Sequence, residues 1–169
     1  ASTATSWGIG RIMTDVIPDG QQVISEFNST FDGTGVNIYV IDTGIDPSNT
    51  LFQNRAFIGA DFINERSTAD LNGHGTHVAG TVGANDIGIA RGASVYGIKS
   101  LSEKGTGSYF TIVKGMEWAY KHANGQRGII SMSLSGGQSD VLDKIISDVT
   151  SSLNMAIVAA AGNRASDAC

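Results

Sequence analysis

The residues best placed to do chemistry are a carboxylate and an imidazole, each in an unusual local context. Asp42 closes the apolar run Tyr39-Val40-Ile41 and is followed by Thr43-Gly44. His74 lies between two glycines in Asn72-Gly73-His74-Gly75-Thr76-His77-Val78-Ala79-Gly80. A carboxylate that holds one ring nitrogen of an imidazole fixes the tautomer in which the other nitrogen takes a proton from a hydroxyl. Acid then base, in that order, are two of the three members of a Ser-His-Asp arrangement. No activated serine is evident before the chain ends at Cys169. Taken singly, an Asp at a strand end is more often a cap or turn residue, and a His between glycines is more often incidental.

Other segments add to the pair. Ala159-Ala160-Ala161-Gly162-Asn163 ends an apolar run with a side-chain amide. Such an amide can donate to a developing oxyanion, although an Asn after Gly is by itself usually a turn residue. Ser133-Leu134-Ser135-Gly136-Gly137 and Gly105-Thr106-Gly107-Ser108-Tyr109 are glycine-rich and extended. Bare backbone of that kind pairs with an extended peptide by strand addition; the alternative for either segment is an ordinary loop.

The elements that must position these groups alternate in type. Strands are predicted over Val36–Ile41, Ala56–Phe62, Ser94–Lys99, Ile129–Leu134 and Ala156–Ala160, the last of them buried. Helices are predicted over the small-residue stretch His74–Val82, over Tyr109–Ala123, and over Asp140–Leu153. The last would place Val141, Leu142, Ile145, Ile146 and Val149 on one face. Alternation of this kind implies crossover units and an α/β fold, with a mainly parallel twisted sheet covered by helices on both faces. Ligands on such sheets collect at the carboxyl ends of strands, where Asp42, Ser135 and Asn163 fall.

Composition bounds the rest. The 169 residues suffice for one domain with a core, 41% being hydrophobic and only 16% charged. A net charge of −5 without a Lys or Arg cluster argues against nucleic acid and against basic membrane anchoring. No apolar run approaches a membrane span, the longest being the strand-sized Ala156–Ala161. The opening Ala1-Ser2-Thr3, without Met, reads as a processed start from which a leader or pro-segment has been removed. Asn28-Ser29-Thr30 matches a glycosylation sequon, a weak motif. The lone Cys169 can pair only with another chain or a downstream segment, or else is a free thiol.

Order and local words together resemble the subtilisin-like serine proteases, and within them the proteinase K group. The resemblance rests on Tyr39–Gly44, Asn72–Thr81, Ser133–Gly137 and Val158–Asn163, with the opening Trp7-Gly8-Ile9-Gly10-Arg11-Ile12. It implies a three-layer fold of which residues 1–169 are the amino-terminal part of a single peptidase domain. It also implies a secreted serine endopeptidase acting on peptides or proteins, with a pro-segment as its own partner before maturation. Asp42 would orient the base, His74 would be general base and then acid, and Asn163 would supply an oxyanion donor. Ser133, Leu134, Ser135 and Gly136, with Ala160, Ala161 and Gly162, would border the pocket for the residue before the scissile bond. Gly105, Thr106, Gly107 and Tyr109 would form the other edge, Tyr109 near a more distant subsite.

Departures from the family pattern matter. The family's nucleophile lies in a Gly-Thr-Ser-Met-Ala type segment downstream of the oxyanion Asn, and no such segment occurs here. The serine would have to come from a carboxyl-terminal fragment. Val78 stands where many proteinase K relatives carry a cysteine, and Ser135 where relatives often carry Gly, which would narrow the pocket edge. The chemistry needs no cofactor. Structural calcium is expected of the family but mostly in the missing half, with Asp15 a weak candidate ligand, and Cys169 matches a disulfide cysteine of some bacterial relatives. Three other readings compete: an inactive truncated fold that binds peptides, a metal hydrolase built on Asp42, His74 and His77, and Ser133 or Ser135 as nucleophile. No Glu within the His segment supports the second, and no Gly-x-Ser-x-Gly elbow supports the third.

Overall fold

The computed structural model describes residues 2–3, 8–9, 12, 26–27, 30–64, 69–152 and 155–165. Strands β1 (Ser2–Thr3) and β2 (Glu26–Phe27) pair antiparallel as a small separate sheet. The main sheet contains β3 (Asn37–Asp42), β4 (Ala56–Asp61), β5 (Ser94–Lys99), β6 (Gly128–Met132) and β7 (Met155–Ala159). Their order is β4-β5-β3-β6-β7, and every pair is parallel. Helices α1 (His74–Gly83), α2 (Tyr109–Ala123) and α3 (Asp140–Ser152) cover it.

The central strand shows why the sequence folds this way. Side chains alternate across a strand, so an apolar run such as Ile38-Tyr39-Val40-Ile41 needs cover on both faces. Ile38 and Val40 join Ile45, Phe52, Ala79 and Val95 beneath α1. Tyr39 and Ile41 join Ile98, Ile130, Ile112 and Met116 beneath α2, with α3 packed alongside. The result is the three-layer α/β architecture expected. α2 begins at a capping box: the Ser108 hydroxyl accepts from Thr111 N (3.2 Å) while Thr111 Oγ1 accepts from Ser108 N (3.1 Å). It ends at Asn124, whose φ of 46° is left-handed.

The ranges predicted for β5 and α2 are those observed, and the other elements shift by a residue or two. Two shifts affect the site. β3 extends to include Asp42, and β6 stops at Met132, where its pairing with β7 ends, leaving 133–137 as unpaired chain. Two expectations need correction. Val141 is 70% exposed, because the stripe that meets the sheet starts at Leu142 and continues through Ile145, Ile146 and Val149. β7, expected to be buried, pairs with β6 alone among the described residues, and Val158 on it is 59% exposed in residues 1–169 taken alone.

Met116 is fully buried at the centre of the α2 interface. Met116→Ala is expected to destabilise the fold by about 2–5 kcal/mol, read from the urea midpoint of the full-length polypeptide.

Candidate active site

Asp42 is the last residue of the central strand and is wholly buried. Its carboxylate accepts a hydrogen bond from Thr43 N (2.7 Å) and faces His74 Nδ1, at 2.8 Å from Oδ1 and 3.0 Å from Oδ2. His74 opens α1, and its side chain is 51% exposed. One end of the pair is therefore dry and fixed, and the other is open to solvent. An imidazole so held by Nδ1 presents Nε2 outward.

This contact demands that α1 start almost on top of the strand end. Gly73 makes the turn into the helix with φ of +93°, a conformation side chains rarely adopt. At Gly75 a Cβ would run into the Gly44 carbonyl oxygen and stand 3.2 Å from Asp42 Cβ. Only glycine lets the helix approach this closely.

Asp70, which sequence reasoning missed, ties the loop down. Its Oδ1 accepts from Thr43 Oγ1 (2.8 Å), Gly73 N (2.8 Å) and Asn72 N (3.2 Å). Its Oδ2 accepts from Thr76 Oγ1 (2.6 Å) and Thr76 N (2.8 Å). The Thr43 hydroxyl also accepts from Gly75 N (3.0 Å), so one chain of bonds joins the residue after Asp42 to the residue after His74. Burial pushes the Asp70 carboxyl up, but the bonds from Thr76, Gly73 and Thr43 outweigh it and hold it below its ordinary value. The signal in the sequence was an Asp-x-Asn-Gly turn just before a helix, a pattern that offers several N–H donors to one carboxylate.

Beside His74 lies a cleft of about 640 Å³. Thr43, Asn72 and His74 form one end, residues 105–109 one wall and residues 133–136 the other, with Leu101 and Ile112 between. The two walls are tied together by Tyr109 Oη, which donates to Gly137 O at 2.5 Å. Both glycine-rich segments read from the sequence thus meet at the imidazole. Ala160, Ala161, Gly162 and Asn163 are exposed and are not among the residues that line the cleft; Ala160 N donates to Met132 O (3.1 Å) just beyond the paired strands.

The competing chemistries are not assembled. His77 lines a different cavity, with Ile9, Leu51 and Phe52, so it does not share a centre with His74. His122 lies on α2 on the opposite face of the sheet, stacked on Trp118 with ring centroids 4.7 Å apart. Ser133 and Ser135 lie in the unpaired chain between β6 and α3, not at a strand-turn-helix elbow. Among the described residues no group of three or more His, Cys, Asp or Glu could hold a metal ion. Asp15, Cys169, Trp7, Gly10, Arg11 and the first two residues of the sequon lie outside the described residues.

With this geometry in view, residues 33–168 match the Subtilase family (peptidase S8). The chain belongs to that family. This subtilase chain is 39% identical over 168 residues to alkaline serine exoprotease A of Vibrio alginolyticus, covering 99% of itself and 30% of that protein. It is 40% identical over 175 residues to subtilisin-like protease 6 of Trichophyton rubrum (96% of the chain, 40% of the relative). To an extracellular serine proteinase of Thermus sp. (strain Rt41A) it is 37% identical over 166 residues, again 97% of the chain against 39% of the relative. The crystal structure of a cold adapted subtilisin-like serine proteinase superposes with a TM-score of 0.87 at 38% identity. That superposition covers 99% of this chain and 59% of the other. The chain therefore spans 30–40% of the length of these curated relatives.

Two outcomes test the site's construction. Gly75→Ala is expected to force α1 away from Gly44 and lengthen the Asp42–His74 contact, seen as loss of the hydrogen-bonded Nδ1 proton in the NMR spectrum. Asp70, with its lowered folded-state value, contributes stability above its unfolded value of 3.8 and loses it as pH falls through the lower folded value. Asp70→Asn should remove about 1–3 kcal/mol at neutral pH, and less and less as the pH falls below 3.8, measured by urea unfolding across that range.

Proposed function

We propose that the chain is the amino-terminal part of a secreted serine endopeptidase domain that cleaves peptides or proteins by acyl transfer. The observation that carries the reading is the Asp42–His74 pair: a wholly buried carboxylate on Nδ1 of an imidazole whose other side opens on a two-walled cleft. His74 takes the proton of a serine hydroxyl as it attacks the substrate carbonyl, then returns it to the leaving amine. Asp42 holds the required tautomer and stabilises the imidazolium. The serine belongs to a carboxyl-terminal segment; the much greater length of the relatives supports this source. Asn163 donates to the oxyanion with a backbone N–H beside it.

The two walls hold the extended substrate by backbone pairing. Gly105, Thr106, Gly107 and Tyr109 line one edge, and Ser133, Leu134, Ser135 and Gly136 the other. Ala160, Ala161 and Gly162 complete the pocket once the downstream segment is in place. The chemistry uses protein side chains alone, and a pro-segment precedes maturation. Secretion is supported by a relative named as extracellular. No helix among the described residues is long and apolar enough to cross a membrane.

A fluorophosphonate probe tests this reading. The full-length polypeptide should be labelled on a serine downstream of residue 169, and no labelling would overturn the endopeptidase and leave a peptide-binding fold. Asp42→Asn should retain peptide binding while turnover falls by about 10⁴-fold, the order seen when this carboxylate is neutralised in a Ser-His-Asp site. Asn163→Ala should lower kcat by about 10²–10³-fold with KM little changed.

A further inference from the structure

We propose that Asn72 is a positioning residue that joins the 105–109 wall to the loop carrying His74, so that a peptide seated on that wall also steadies the imidazole. The inference rests on the reading above, in which that wall holds an extended substrate. Asn72 lies two residues before His74 and lines the same cleft. Three of its polar groups are engaged, each by a different partner. Its N donates to Asp70 Oδ1 (3.2 Å). Its Oδ1 accepts from His74 N (3.2 Å), a donor that the first turn of a helix leaves open. Its Nδ2 donates to Glu103 O at 2.7 Å, 31 residues further along the chain.

The far end of that bond belongs to a closed turn. Ser102 N donates to Thr106 O (2.8 Å), Gly105 N to Ser102 O (2.9 Å) and Lys104 N to Ser102 Oγ (3.2 Å). At its base, Thr111 Oγ1 donates to Ser100 O and Ser100 Oγ to Thr111 O, both at 2.9 Å, so the end of β5 and the start of α2 are held together. Gly105 lies against the Asn72 amide: a Cβ there would stand 3.8 Å from Nδ2. The wall therefore carries its own internal bonds, and one side chain links it to the backbone of the residue that bears the imidazole.

Contacts remote from a scissile bond raise kcat only where they act on the reacting groups; otherwise they lower KM alone. A peptide paired along 105–109 restrains the turn, and through Asn72 the turn restrains His74 N. The base is then held in reacting geometry by binding made several residues away. Without the Asn72 amide the wall would still offer its backbone, but seating a peptide there would no longer reach the imidazole.

The test uses alanine–leucine peptides with one to four residues ahead of the scissile bond, the leucines chosen to meet Leu101 and Ile112 in the cleft. With the full-length polypeptide, longer peptides are expected to show a higher kcat as well as a lower KM. In Asn72→Ala the gain in kcat from shortest to longest should shrink by about fivefold or more, while the fall in KM with length persists. Asn72→Asp, which keeps an oxygen for His74 N but has no donor for Glu103 O, should behave likewise. An asparagine that only stabilises the fold would lower the unfolding midpoint and leave the kcat gain as in wild type, and that result overturns the proposal. A polypeptide that cleaves none of these peptides removes the endopeptidase reading instead, and the coupling is then read without turnover. The longest peptide, its scissile amide reduced to a methyleneamine, is titrated into polypeptide carrying isotope-labelled histidine. The His74 ring signals should shift on binding in wild type and stay in place in Asn72→Ala. Equal shifts in both, or none in wild type, overturn the proposal.

Discussion

A carboxylate with no exposed surface, at the end of the central strand, is the constraint that organises this molecule. An ionised Asp42 in a dry layer needs donors within a side chain's length. Thr43 N supplies one, and His74 Nδ1 another. Bringing the imidazole there requires α1 to begin against the strand end, which is why its buried face is Gly75, Ala79, Gly80 and Gly83 instead of leucines. The same closeness explains the bare Gly75 over Gly44 O and the Asp70 network that pins the preceding loop. What looks like a weakly hydrophobic helix is shaped by the pair it must deliver.

The parallel sheet does the rest of the positioning. Because β3, β5 and β6 run the same way, the segments leaving β5 and β6 emerge at the same end of the sheet as Asp42. One becomes the 105–109 wall and the other the 133–136 wall. The Tyr109–Gly137 bond joins walls that start on opposite sides of β3.

Much of this was legible in the residues. The alternation of β-rich runs with amphipathic stretches was enough for the layers and for element boundaries within a residue or two. Asp42 and His74 stood out because each sits in glycine-rich, apolar surroundings that serve no obvious packing purpose. Asp70 did not stand out, for a physical reason. It acts on backbone N–H groups of residues brought close by folding, and the types of those partners carry no signal. Asn163 stands beyond β7 and is not among the residues that line the cleft, so the oxyanion role proposed for it rests on the family resemblance.

The central claim is that His74, alone among the histidines, is held by a buried carboxylate as the base of an acyl-transfer site. A peptidyl chloromethyl ketone bound between the walls alkylates a ring nitrogen placed beside an activated serine. Treating the full-length polypeptide and mapping the adduct by peptide mass spectrometry tests the claim directly. The account predicts modification on the peptide containing His74, and its loss when the Asp42 carboxylate is neutralised. Modification at His77 or His122, or none at all, would contradict it.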